Sequence, residues 1–283
     1  MQSKNRAILY VNVAVLLFGL VGLLAKRISL SALETTFWRV LFSSAALGIF
    51  MLATRQSFRI QSKRDAAIVA GAGVVLALHW WSFLGTIKIS TVAIATITFA
   101  SFPLFVTFLE PLAFHTKLRL RNVIMALVIL GGVSITIPEF SLENNSSMGI
   151  LIGMFSTFLY AIMAILNKFL SERYGSTLTA FYEQVMAALV LLPLALQGWG
   201  VPSGTDFFYL ALLGVLTTAL AHTLFISSLK DIPAQLAGVL SSMETVYGIL
   251  MAMIFLGEMP SVREWIGAAV IIGTVVFAQL REK

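Results

Sequence analysis

The sequence predicts an all-α integral membrane protein, with ten transmembrane helices arranged as two inverted five-helix repeats. Three observations lead there. Hydrophobic residues make up 59% of the 283-residue chain and charged residues 11%, with a mean hydropathy of +0.93, too apolar for a water-facing surface. The chain also repeats itself 142 positions on, most sharply where residues 121–133 overlie 263–275 with seven of thirteen positions identical. Finally, the basic residues are sorted by loop.

Apolar runs of about 20 residues can cross a hydrocarbon core as helix, and ten such runs are present. The first, Ala7–Ala25, follows Lys4 and Arg6 as a signal peptide would. It is too long for the apolar part of one and leads into Lys26 and Arg27, not a small-residue cleavage site, so it reads as a permanent span. The second, Thr35–Ala53, holds Arg39, and the third, Ala66–Thr86, holds His79, Trp80 and Trp81. In the fourth, Thr91–Phe114, Pro103 and Pro111 each remove a backbone hydrogen bond and permit a kink. The fifth, Val123–Pro138, has no ionisable side chain from Ile124 to Ile137. Turn formers over Pro138–Ser147 then read as a short extracytoplasmic linker. The second set runs Gly149–Leu170, Leu178–Leu196 (interrupted by Pro193), Phe207–Ser228, Gln235–Leu256 and Val262–Leu280, the last without an ionisable group from Ile266 to Phe277. Gly19, Gly22, Gly71 and Gly73 permit close helix contact. The two units expected are residues 1–142 and 143–283.

Loops on the side of the N-terminus carry fourteen Lys and Arg residues, from Lys4 and Arg6 to Arg281 and Lys283. The opposite loops carry only Lys26, Arg27, Lys88 and Arg263, and Arg39 lies within a span. The positive-inside rule then places both termini in the cytoplasm, in a bacterial-type plasma (inner) membrane. Basic residues distributed this way form no patch for nucleic acid. Because five is odd, the second copy enters the membrane from the opposite side, and such a repeat favours alternating access around a midplane site.

The ordered set of Arg39 in the second span, Phe102, Pro103, Leu104 and Phe105 in the fourth, and Phe255, Leu256, Gly257 and Glu258 before a Gly-rich tenth span resembles the EamA branch of the drug/metabolite transporter superfamily, over essentially the whole chain. The first half departs from the pattern, with His115 and Thr116 where the second has Gly257 and Glu258. The resemblance implies an exporter of small metabolites such as amino acids, with helices one to four and six to nine around a cavity and helices five and ten peripheral.

Buried polar residues are the candidate site, since a charge at membrane depth costs at least ~2.5 kcal/mol on insertion scales. Arg39 has a planar fork of donors suited to a carboxylate; it is read either as a substrate anchor or as one half of an ion pair with Glu110 or Glu183. Glu244 shares a stripe with Ser241 and Tyr247 at helical spacing and is a candidate for binding substrate or a proton. Thr98 and Phe102 lie on the counterpart stripe of the fourth helix. His79, Trp80 and Phe83 on the third helix, His222 on the eighth and Tyr160 on the sixth complete the expected cavity wall. Phe18 overlies Tyr160 and Lys26 overlies Lys168 in the repeat, and His79 aligns with His222 after a one-residue shift.

The expected function is a secondary-active exporter, taking a small-molecule substrate across the bilayer as a monomer, with protons a possible coupling ion. Export of hydrophobic organic cations or drugs is the alternative, followed by a channel-like facilitator. The chain has no Cys and no HExxH, GxSxG or GxxxxGK[ST] motif, so no enzyme, metal site, cofactor or ATP-driven step is expected. The charge asymmetry predicts that single cysteines at Ser57 and Lys283 resist an impermeant thiol reagent outside intact cells, while one at Asn145 labels. Labelling at Ser57 in sealed cells overturns this orientation.

Overall fold

The computed structural model describes residues 2–115, 117, 118, 120–136, 145–197 and 201–280. Ten helices follow the ten apolar runs. They are α1 (Gln2–Arg27), α2 (Ala32–Ala53), α3 (Lys63–Ile89), α4 (Val92–Phe114), α5 (Leu120–Ile135), α6 (Asn145–Ser171), α7 (Ser176–Ala195), α8 (Gly204–Leu229), α9 (Ala234–Leu256) and α10 (Val262–Leu280). Among the described residues, eight are long and apolar enough to span a membrane, and α5 is a shorter apolar helix. Several begin where a side chain can satisfy free amides. Ser31 and Glu34 form a capping box on α2, Ser203 and Asp206 another on α8, and Ser62 caps α3. The expected linker is partly corrected: Asn145–Ser147 form the first turn of α6, and residues 137–144 lie outside the described residues.

Helices α4 and α9 are each broken near the middle, which alternating stripes along continuous helices did not anticipate. α4 divides into Val92–Phe99 and Phe102–Phe114, and α9 into Ala234–Ser241 and Met243–Leu256. Pro103, in the first turn after the α4 break, has no amide hydrogen to continue the ladder. At the α9 break the hydroxyls of Ser241 and Ser242 turn back onto the Ala237 and Gly238 carbonyls. The two breaks meet, with Ser242 Oγ donating to Ala100 O at 3.4 Å. These residues are 142 apart, the repeat offset.

Helix α3 packs on α6 and α7, α1 on α8 and α9, α4 on α6, α2 on α7 and α8, and α5 on α10. Contacts between the halves therefore come in exchanged pairs: α1 with α9 mirrors α6 with α4, and α2 with α8 mirrors α7 with α3. Small residues allow this proximity. A Cβ at Gly19 would lie 2.5 Å from Tyr247 Cβ, and one at Gly214 would lie 2.8 Å from the Arg39 carbonyl. Both are closer than any side chain tolerates, so these crossings require glycine.

Contacts define two ends of the bundle. Arg6, Lys168, Arg173, Lys230 and the start of α9 lie at one end, here the terminal face. Lys26, Ser90, Val92 and Glu258 meet at the other. Glu258 follows Gly257, which ends α9 in the left-handed conformation (φ +68°); its repeat partner His115 ends α4 in the same conformation (φ +53°). The Gly-to-His departure thus preserves the turn, at the steric cost a side chain bears there.

Candidate functional site

A central cavity lies among α1, α2, α3, α4, α6, α8 and α9, lined by Phe18, Val21, Arg39, His79, Trp80, Phe83, Phe99, Tyr160, His222 and Glu244. Seven of the sequence candidates converge here: Arg39, His79, Trp80, Phe83, Tyr160, His222 and Glu244. Its open volume, about 20 Å³, holds about one water molecule.

Arg39 forms one pole. Its guanidinium is 1% exposed and stacks over the Trp80 ring at 4.1 Å, a cation–π contact strengthened by exclusion of water. Nε and Nη2 donate to Thr218 Oγ1 at 3.0 and 2.8 Å, while Nη1 has no partner among the described residues. Thr218 lies in a π-helical stretch of α8, Leu213–Leu220, and its hydroxyl donates to the Leu213 carbonyl five residues back. This wide turn, packed on α2 at Gly214, brings the hydroxyl beneath the guanidinium. Among the described residues Arg39 forms an ion pair with neither Glu110 nor Glu183, the pair that is one of its two readings. Glu110 instead caps α9, and Glu183 bonds His222.

Glu244 forms a second pole, in the first turn of the latter half of α9, where the helix dipole favours an anion. It is 3% exposed and makes no hydrogen bond or ion pair among the described residues. Aromatic rings fill the wall between the poles. Tyr160 meets Phe99 at 5.0 Å and His79 at 4.8 Å, and Phe83 meets Phe99 at 5.8 Å. His79 is fixed by Ser156, whose carbonyl and hydroxyl both lie 2.9 Å from Nδ1. These bonds tie α3 to α6 at the cavity.

Besides Glu110 and Glu183, four candidates lie off the lining. Tyr247 packs against Gly19, and Thr98 against Gly153. Ser241 bonds its own helix. Phe102 sits behind the wall, 5.0 Å from Tyr160. The break in α4 rotates the stripe expected there, so Phe99 faces the cavity in place of Thr98 and Phe102. Phe99 and Val21 carried no signal in the sequence. Phe18 did, since the repeat sets it over Tyr160 and both line the cavity.

The carboxylates absent from the cavity occupy the two ends. At the end away from the terminal face, Lys26 Nζ lies 3.2 Å from Glu258 and 3.1 Å from the Ser90 carbonyl, and Glu258 accepts the Val92 amide at 3.1 Å. At the terminal face, Glu110 accepts the Ala234 and Gln235 amides, both at 3.1 Å, while Lys168 donates to the Leu229 and Ile232 carbonyls. Val92 and Ala234 are repeat equivalents, as are Lys26 and Lys168 and Ser90 and Ile232. Glu110, six residues before Thr116, thus does at one end what Glu258 does at the other. The apparent loss of that glutamate from the first half is made good in space. A vestibule of about 490 Å³, lined by Glu110, Phe114, Lys168, Lys230 and Asp231, opens at this face.

The pattern of the EamA-like transporter family matches residues 5–137 and again 147–279. The chain belongs to this family. The transporter is 26% identical over 256 residues to an S-adenosylmethionine uptake transporter of Rickettsia conorii, covering 90% of this chain and 85% of that one. It is 26% identical to the inner membrane transporter YicL of Salmonella typhimurium, covering 99% and 97%. A solved crystal structure matches its fold with a TM-score of 0.77 at 21% identity, over 97% and 96% of the two chains. The duplicated family match accounts for the exchanged contacts, and the buried polar groups mark where this multi-pass transporter departs from pure packing.

Removing the Thr218 hydroxyl leaves two guanidinium donors unpartnered in a dry site. The transporter with Thr218→Val should lose about 1–3 kcal/mol of stability, read as a lower unfolding temperature in detergent, with Thr218→Ser restoring most of it. Equal stability of all three proteins contradicts the assigned geometry.

Proposed function

We propose that this transporter is a secondary-active carrier exporting small zwitterionic metabolites such as amino acids, by alternating access around the Arg39–Glu244 cavity. One observation carries the reading: a buried cation and a buried anion line one cavity, each with bonding capacity the protein leaves unused. An isolated charge excluded from water costs several kcal/mol unless paired. A solute with a carboxylate for Arg39 Nη1 and an ammonium for Glu244 supplies both partners, and the aromatic wall takes its side chain.

Opposite gates support alternating access. Lys26 and Glu258 close the end away from the terminal face. Phe102 and Phe225, 6.5 Å apart and both in contact with Tyr160, lie one turn nearer the terminal face than Phe99 and His222. They separate the cavity from the vestibule. The exchanged contacts and the five-helix parity support inverted repeats over 1–142 and 143–283, whose rocking exchanges which gate is shut. With both termini cytoplasmic, the vestibule faces the cytosol, as loading for export requires. The relative named an inner membrane transporter supports that location. The protein acts as a monomer, since one chain supplies both poles.

The second reading, a carrier of organic cations, is favoured by the aromatic wall beside Glu244 and by relatives named for S-adenosylmethionine uptake. That solute combines an amino-acid end with a sulfonium cation, so it fits the same two poles.

Proteoliposomes offered matched amino acids and their decarboxylated amines separate these readings. Arg39→Lys, which keeps the charge but loses the fork, should weaken amino-acid transport about 10-fold or more, as for one lost charge-assisted hydrogen bond, and leave amines unaffected. Glu244→Gln should weaken both. Amine transport by the wild type equal to that of the amino acids overturns the zwitterion assignment in favour of the cation reading.

A further inference from the structure

We propose that Glu183 and His222 form a proton-binding site, separate from the Glu244 pole, that couples solute movement to a pH gradient. This rests on the transport reading above. His222 Nε2 lies 2.7 Å from Glu183 Oε2, and both side chains are fully buried. His222 also lines the cavity, so the pair lies one residue behind the solute.

The arrangement exceeds what a helix tether needs. His222 Nδ1 and Glu183 Oε1 are buried with no partner among the described residues, so neither atom recovers the hydrogen bonds that burial takes from it. His79, fixed by Ser156, shows how the same protein satisfies a structural histidine. On the pair, a fixed acceptor at Nδ1 would hold the imidazole protonated, and a fixed donor at Oε1 would hold the carboxylate ionised. Neither is present among the described residues, which leaves both atoms open to a proton. One proton added at Nδ1 or Oε1 changes the pair from a net charge of −1 to zero, and its loss restores the anion.

On α6 and on the two helices of the pair, α7 and α8, the Tyr160 hydroxyl, the Asn167 and Gln184 amides and the Thr223 hydroxyl are buried without hydrogen bonds among the described residues. The positions aligned with them in the first half are Phe18, Ala25, Phe42 and, with the one-residue shift that sets His79 over His222, Trp80, none of which has an oxygen on its side chain. The first half keeps its own unpartnered groups elsewhere, on α2 at Thr35, Trp38 and Ser43. On α6, Asn167 lies two turns from Tyr160 on the same face, next to Lys168 at the vestibule. Ordered water is the usual partner for buried groups of this kind, and a hydrated run here gives protons a path between vestibule and pair.

The charged and titratable groups around the pair are Arg39 across Trp80, His79 on α3, Tyr160 on α6 and Glu244 on α9. Trp80 meets His222 edge-on at 5.8 Å and carries the Arg39 guanidinium on its face. A change of charge on the pair is thus felt at the pole that holds the solute carboxylate.

The test uses Glu183→Gln, which keeps shape and the hydrogen bond to His222 but cannot ionise. In proteoliposomes, wild type should accumulate an amino acid under an imposed pH gradient and shift the internal pH during transport. The variant should still exchange the amino acid across the membrane at equal pH but lose both the accumulation and the pH shift. Gradient-driven accumulation by the variant, or none by an actively exchanging wild type, overturns the proton site and leaves the carrier reading standing. If no amino acid exchanges, the zwitterion reading fails, and infrared titration in detergent then decides the proton site without a solute. A carboxyl band should titrate in wild type and vanish in Glu183→Gln, and an unchanged band overturns the proposal. Should Glu183→Gln not fold, the same titration of His222→Gln, which must shift that band, takes its place.

Discussion

The Arg39 guanidinium, buried on the face of Trp80 and held by a single threonine hydroxyl, is the constraint on which the centre of this protein depends. A cation at membrane depth is retained only against a free-energy cost. Three nearby devices make it tolerable: the ring quadrupole of Trp80, the Thr218 oxygen, and the field of Glu244 across the cavity. Two of them need unusual backbone. Thr218 reaches Arg39 because α8 widens into a π-helical turn against Gly214, and Glu244 sits at a helix start only because α9 breaks at Ser242. The irregular parts of an otherwise regular helical bundle are thus the parts that manage charge, as irregular backbone in transporters commonly does.

Charge is divided between the centre and the two ends. Glu258 and Glu110 each cap the start of a helix from the other half, and the lysines beside them, Lys26 and Lys168, each bond a carbonyl 64 residues further on. At one end the ion pair is closed at 3.2 Å; at the other a vestibule opens above the aromatic pair Phe102 and Phe225. The same sequence, used twice, builds two ends that differ mainly in whether the pair is made. A small difference in free energy between such arrangements is what the rocking proposed for this transporter needs.

Helix number and order were legible because apolar runs and loop charges depend on local composition alone. The repeat told more than it first showed, since Phe18 over Tyr160 predicts two walls of one cavity. Four features were hidden for physical reasons. The α9 break comes from serine hydroxyls competing for backbone carbonyls, which a hydropathy pattern cannot display. The π-helical turn has no composition of its own. Glu110 replaces Glu258 by position in space, six residues from its aligned place, so alignment reads as a loss what packing restores. The pairing of Glu183 with His222, in place of Arg39, follows from which helices touch and not from which charges attract.

The central claim is that the cavity awaits a solute carboxylate at Arg39. Unfolding temperature in detergent measures it without assuming direction or coupling, because a solute that binds only the folded protein raises that temperature. With matched amino acids and decarboxylated amines, the account predicts a saturable rise for at least one amino acid, none for its amine, and loss of the rise in Arg39→Lys. An equal rise for the amine, or a rise unchanged in Arg39→Lys, would contradict it.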